Sequence, residues 1–364
     1  MRETTVKYHP KNERMKQPYY QYLKEADQKA DSTIDAIRKA IVRFEQDTGF
    51  KDFRTFNKEQ AIAFKRHLAQ QKSARTGQPI SKSTMLSTIN AIQAFFKWLA
   101  YQPGYKSKIH IPDIEYFNMS EKEVRMARAA QFKEFPTIEQ IRKVIFSMPT
   151  ETDVEKRDQA LIAFTLLTGM RDSAIASLSL KHIDTSRDPV LVRQDPNEVR
   201  TKFSKAINTY FFPVGDDIRD IVLGWIKYLK EGKLYGLNDP IFPHTKIGQD
   251  KNLSFANLGI EPVHWSNATP IRKIFKQAFT SAELKYYSPH LFRNTLTDFG
   301  QKICKTPEQL KAWSQNLGHE NVLTTFTSYG NIDPHRQGEV IKSLSVADTE
   351  DDKIERILKA LELN

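Results

Sequence analysis

Two short stretches late in the chain, SPHLFRNTLTDFG from residue 288 and LGHENVLTTFTSYG from residue 317, set His290, Arg293, His319 and Tyr329 within about forty residues. A fifth group, Arg171, lies far upstream in TGMRDSAIASLSL. Two arginines, two histidines and a tyrosine form a set that can break a phosphodiester without a metal. A guanidinium offers a rigid fork of N–H donors that matches two phosphate oxygens and stays charged at any working pH. Two such forks hold the non-bridging oxygens of a scissile phosphate while charge builds on phosphorus. Histidine donates or relays a proton near neutrality. A tyrosine hydroxyl, with an ordinary pKa of about 10, becomes a nucleophile only where neighbouring cations stabilise its anion. Tyr329 is one of 13 tyrosines and the only one after Tyr287, so it has no local rival as nucleophile.

The elements that must position these groups are mainly helical. Gly169 reads as a helix end that delivers Arg171 to the start of the next helix, where a cation opposes the helix dipole. That unfavourable siting favours an anion-binding task. His290 and Arg293, three apart, share one helix face. In the first part of the chain, Ile34, Ile37, Ile41 and Phe44 line one face of a helix capped by Asp31 or Ser32. A second helix runs through KEQAIAFKRHLAQQ, and a third and fourth, fused or adjacent, run through SKSTMLSTINAIQAFFKWLAYQ. Further on, Thr137 and Gln140 form a capping box, and DQALIAFTLLTGM is apolar on nearly all sides, as a buried core helix must be. Three short β segments are expected around 190–193, 199–203 and 209–214. Helices then return in DDIRDIVLGWIKYLKEG, PIRKIFKQAF, LFRNTLTDFGQK and PEQLKAWSQNLG. The fold class is mainly α with a small antiparallel β-sheet.

Bulk properties narrow the function. At 364 residues the chain has room for two domains. It shows no apolar run of ~18 residues and no apolar signal core near its start, so no membrane partner is expected and a reducing cytoplasm is the simplest compartment. The single cysteine, Cys304, excludes an internal disulfide and a cysteine-based zinc cluster. The formal net charge is +11; residues 1–130 hold 24 Lys+Arg against 14 Asp+Glu, so nearly all the excess lies in the first third. Such a segment binds nucleic-acid phosphates by releasing counterions, although a basic solvated surface would read the same way. No close carboxylate cluster of the kind two-metal nucleases need is visible.

At three places the sequence resembles the tyrosine recombinase, or phage integrase, family: T-G-x-R at 168–171, H-x-x-R at 290–293, and L-G-H at 317–319 followed by Thr324, Thr325 and Tyr329. The patterns occur in the family's order and, with their bounding helices, cover roughly 136 to 335. The resemblance implies a C-shaped clamp on double-stranded DNA. Residues 1–26 would be a basic segment with a flexible look, 27–103 a helical core-binding domain and 104–135 a linker, extended at first and helical around 121–129. Residues 136–345 would be the catalytic domain, and 346–364 a tail helix that folds back onto its own domain or, as in the family, docks on a neighbouring protomer. It further implies that Tyr329 attacks the scissile phosphate to give a 3′-phosphotyrosyl link. Arg171, His290, Arg293 and His319 would stabilise the transition state, and a lysine of the β-hairpin turn would protonate the leaving oxygen. Lys202 matches the family position better, with Lys205 second. Neither metal nor ATP nor another cofactor is implied. A tetramer on DNA, recombination or integration of a mobile element, and accessory DNA-bending or directionality proteins belong to the same expectation. Two features depart from the pattern. His319 and Tyr329 are ten residues apart where nine is usual, and Ala174 stands where the family commonly carries an acid, a place Asp172 or Asp184 would have to fill. A type IB topoisomerase, and a DNA-binding regulator with a disabled site, remain as alternatives.

Overall fold

The computed structural model describes residues 8–73, 77–129, 134–249 and 255–319. Two compact units divide the chain, Met1–Ala129 and Ala130–Asn364.

The first unit is built from α1 (Pro10–Glu25), α2 (Asp31–Asp47), α3 (Lys58–Gln70), α4 (Lys82–Leu99), α5 (Ile111–Glu115) and α6 (Glu121–Arg128). Side-chain caps start several of them: Asn57 accepts from the Gln60 N–H, Ser81 from Thr84 and Ser120 from Glu123. The core is aromatic. Phe56 stacks on Phe96 with centroids 4.0 Å apart, and Phe44 meets Phe64 and Phe96 edge-on at 5.2 and 5.1 Å. Each such ring removed from water stabilises the unit by roughly 1.5–3 kcal/mol.

Three expectations change here. Residues 10–25, expected to look flexible, form α1, which buries Tyr19, Tyr20 and Leu23 in the core. Asn12 and Lys16, also on α1, hydrogen-bond the buried Glu45 of α2 at 3.1 and 2.8 Å. The pair of helices expected in 81–102 is the single helix α4, because Ser81 caps it and no residue after it breaks the ladder before Leu99. Much of the stretch read as a linker joins this unit. Tyr105, Ile109, Ile114 and Phe117 are buried in its core, and Glu123 of α6 pairs with Lys82 at 2.9 Å.

The second unit opens with α7 (Ile138–Ser147), whose Thr137–Gln140 capping box is formed on both sides. It continues with α8 (Asp153–Thr168), α9 (Asp172–Ile175), α10 (Asp216–Lys227), α11 (Thr269–Ser281), α12 (Leu291–Ile303) and α13 (Pro307–Asn316). Helix α8 is buried continuously from Ala160 to Thr168 and forms the centre of the core, with Phe242, Phe275 and Phe292 around it. A three-stranded antiparallel sheet runs in the order β1 (Ile183–Asp184), β2 (Leu191–Gln194), β3 (Ile207–Tyr210), with Leu191 opposite Tyr210 and Gln194 opposite Ile207. The strand expected at 199–203 is absent. The Asp195 carbonyl accepts the Glu198 and Val199 N–H groups, and a 3₁₀ turn follows over Lys202–Ser204, so this stretch is the connection between β2 and β3. A second hairpin, β4 (His244–Gln249) with β5 (Phe255–Glu261), was not foreseen. The fold is mainly α with small antiparallel sheets, as the sequence implied.

Candidate active site

Arg171 sits at the N-cap of α9, two residues beyond Gly169. Gly169 ends α8 with φ +57°, and its N–H closes on the Thr165 carbonyl at 2.9 Å. A Cβ there would stand 2.8 Å from Leu317 Cδ2 and 2.9 Å from Leu296 Cδ1, so both the backbone angle and the space require glycine. The turn therefore presses the end of α8 against α12 and the end of α13, and Arg171 emerges at that junction.

The L-G-H pattern is the matching stop of α13. The Gly318 N–H donates to the Gln315 carbonyl at 2.7 Å and the His319 N–H to the Ser314 carbonyl at 3.1 Å, a Schellman closure with Gly318 at φ +69°. It turns the chain so that His319 faces back toward α12.

Arg293, on α12 and only 5% exposed, occupies the space between the two helix ends. Its Nη1 donates to the Gly169 carbonyl at 2.5 Å, and its Nη2 to the Leu317 carbonyl at 2.5 Å and to His319 Nε2 at 3.0 Å. Both carbonyls lie at helix C-termini, where partial negative charge favours a cation. No carboxylate is among these partners, so the charge of Arg293 is positioned without being neutralised. Burial, and then the charge of Arg171, push its guanidinium down to about 9, and burial lowers Arg171 as well. Arg293 nevertheless stays a cation at neutral pH.

An arginine can only donate, so His319 Nε2 must be the acceptor in that contact and the ring proton lies on Nδ1. The electrostatics keep the ring neutral, as an acceptor nitrogen requires. Burial first, then Arg293, Arg171 and His290, push His319 down to about 4. His290 is the exposed N-cap residue of α12, and its carbonyl accepts the Arg293 N–H at 3.2 Å. The fold thus brings Arg171, His290, Arg293 and His319 within one another's electrostatic reach, a concentration of positive potential that an oxyanion would relieve.

The lysine candidates lie on the β2–β3 connection, Lys202 exposed at the start of the 3₁₀ turn and Lys205 half-buried after it. That connection leads to β3, whose first residue, Ile207, packs against Gly318. The Tyr210 N–H and carbonyl bond the Asn316 side chain at 2.6 and 2.9 Å. Strand β3 is therefore tied to the same helix end as His319. Asp172 pairs with Arg272 at 2.7 Å and Asp184 with Arg187 and Arg193 at 3.0 and 3.1 Å, while Ala174 is buried. Neither acid is thereby placed on Arg171. Thr324, Thr325, Tyr329 and the 346–364 tail lie outside the described residues. Among the described residues no group of three or more His, Cys, Asp or Glu could hold a metal ion, and no helix is long and apolar enough to cross a membrane. Not anticipated from sequence is Arg200, two residues before Lys202, whose guanidinium donates to backbone carbonyls, which leave no pattern to read.

Residues 135–336, more than half of the chain, match the sequence model of the phage integrase family. The chain belongs to that family. It is an enzyme of the tyrosine recombinase class. Tyrosine recombinase XerC of Treponema denticola is 24% identical over 314 residues, covering 84% of this chain and 90% of that protein. XerC of Bacillus subtilis is 24% identical over 247 residues, covering 68% and 69%. Among solved structures, XerH site-specific recombinase bound to palindromic difH substrate in a post-cleavage complex superposes with a TM-score of 0.60 at 16% identity, covering 90% of this chain and 84% of that one. A lambda integrase dimer bound to a COC' core site gives 0.56 at 12% identity, covering 91% and 85%. At such identities the structural likeness speaks for the fold.

Proposed function

We propose that this family member is a site-specific DNA recombinase that cuts and rejoins strands through a 3′-phosphotyrosyl intermediate. The observation that carries the reading is the convergence of Arg171, Arg293, His290 and His319 at the junction of three helix ends. Arg171 and Arg293 hold the non-bridging oxygens of the scissile phosphate, and His319, neutral in the free protein, donates from Nδ1 to the developing negative charge. Tyr329 attacks phosphorus, so the tyrosyl O–P bond forms as the P–O5′ bond breaks. The phenol proton goes to water, and the 5′ oxygen takes its proton from Lys202. Because the covalent link keeps the energy of the phosphodiester, no ATP or metal enters the scheme. Double-stranded DNA as partner is supported by the basic first 130 residues and by relatives whose structures hold DNA. Four protomers on two sites would exchange strands in pairs.

Covalent trapping tests the reading. The site is first selected from a randomised duplex pool, then offered with a nick just beyond the cleavage position in the presence of EDTA. A protein–DNA adduct on a denaturing gel that disappears in Tyr329→Phe is the expected result. Site-specific binding with no adduct would replace the enzyme by a regulator on the same fold.

A further inference from the structure

The β2–β3 connection is fixed at two separate places, and Arg200 is one of them. Its N–H donates to Ser177 Oγ at 2.9 Å, and its carbonyl accepts from Ser173 Oγ at 3.5 Å. Ser173 belongs to α9, the helix that Arg171 caps, and Ser177 lies two residues beyond its end. The guanidinium reaches the other way: Nη2 donates to the Trp265 carbonyl at 2.6 Å and Nη1 to the Ser266 carbonyl. Trp265 is itself buried under the Arg157 guanidinium, so these carbonyls are a rigid abutment. Val199, just before, is 1% exposed. The second fixed place is Ile207 on Gly318. Lys202 hangs from the first anchor and Lys205 from the second.

We infer that Arg200 is a positioning residue for proton delivery: by bracing the root of the loop against α9 and the 265–266 carbonyls, it sets the reach of Lys202 relative to Arg171. This rests on the proposed role of Lys202 as the acid that protonates the leaving 5′ oxygen. A fork that bridges two carbonyls cannot be replaced by a point cation, so geometry rather than charge is the property at stake. An arginine whose role was only to touch a DNA phosphate would behave oppositely.

The experiment compares a nicked substrate carrying the ordinary 5′ oxygen with one carrying sulfur at that bridging position. A thiolate, from a thiol of pKa about 8.5, departs without a proton, so a defect in acid delivery vanishes on sulfur and any other defect persists. Arg200→Ala and Arg200→Lys are tested in the full-length protein, with melting temperature and DNA binding measured alongside and Lys202→Ala as the reference. We expect both Arg200 variants to cleave the oxygen substrate about 10–100-fold more slowly and the sulfur substrate within about threefold of the wild type, matching the Lys202→Ala pattern. Should Lys202→Ala be rescued by sulfur while the Arg200 variants stay equally slow on both substrates, the positioning role is wrong. Should Arg200→Lys cleave the oxygen substrate normally, charge suffices and the role is again wrong. Failure of sulfur to rescue Lys202→Ala would instead remove Lys202 as the acid, and the inference with it. Arg200→Lys keeps the test decisive if Arg200→Ala does not fold.

Discussion

Arg293 lies where simple electrostatics disfavours a cation: buried, beside Arg171, with two carbonyls and a neutral imidazole for partners. A carboxylate would have stabilised it better and would also have cancelled the charge that a phosphate must meet. Arg293→Ala should therefore have two separable effects. The orphaned Gly169 and Leu317 carbonyls should lower stability by roughly 1–3 kcal/mol in urea denaturation. The rate of covalent adduct formation should fall by about 10³-fold or more, beyond what binding loss explains. His319 carries a pH signature of the same design. Its folded pKa of about 4 lies below the ordinary 6.5, so between these values the unfolded chain binds the extra proton. The stabilising contribution is complete above pH 6.5 and declines as pH falls toward 4, by at most about 1.4 kcal/mol per unit. On the proposed chemistry, a bound phosphate would oppose the field on the ring and raise its pKa. Calorimetry of DNA binding at pH 6 in buffers of different ionisation enthalpy should register proton uptake that His319→Ala reduces. Equal uptake by the variant would assign the proton elsewhere. The residue types of this cluster were legible as motifs, because each motif is a helix stop or a helix turn that any chain must spell out. The clamp on Arg293 was not legible, since backbone carbonyls look the same in every sequence.

At the level of elements, the helix stops were readable for a physical reason. Gly169 and Gly318 take positive φ at positions where a side chain would also collide, so glycine is specified twice over. Helix α1 was not readable, and the cause is visible in its buried face. Asn12, Lys16, Tyr19, Tyr20 and Leu23 have helical spacing, but two of the five are polar and pass for surface. Only the fold shows that Glu45, itself 1% exposed, satisfies both. Hairpin β4–β5 escaped for the converse reason: β4 has no buried residue, so no alternation marks it. The α1–α2 network gives a direct test of the altered N-terminal boundary. Glu45→Ala removes the buried acceptor shared by Lys16 and Asn12, leaving Lys16 only Glu13 and the Asn12 amide only the Lys51 carbonyl, and should destabilise the first unit by about 1–3 kcal/mol. Denaturant unfolding of the full chain by tryptophan fluorescence, compared with a Trp98→Phe background to isolate the signal of Trp98, whose ring lies tilted 5.0 Å from that of Tyr19, reads this out. A loosely attached N-terminal segment would instead leave the midpoint unchanged.

For the molecule as a whole, charge is divided as sharply as chemistry. The candidate catalytic groups all fall after residue 130, where Lys+Arg and Asp+Glu nearly balance, 31 against 30, while the first 130 residues carry the excess of ten. A protein that must find a site and then react on it gains from this separation. Non-specific attraction falls with salt, whereas the buried site, screened from ions, should not. In the first unit Lys11, Arg14 and Arg54 line one open cavity with Tyr105, at the start of α1. Lys11 and Arg14 are exposed, and Arg54 is paired with Asp52 at 2.6 Å. If Lys11 and Arg14 meet phosphates, Lys11→Ala with Arg14→Ala should lower the slope of log affinity against log salt by about two, at about 0.9 per phosphate contact. The same double variant, at protein concentrations that saturate the DNA, should form the Tyr329 adduct at a rate within about twofold of the wild type, because no reacting group has changed. A salt slope that stays the same would make this cavity ordinary solvated surface. A slope that falls together with the saturated rate would mean that the first unit also helps to set the geometry of the reacting phosphate.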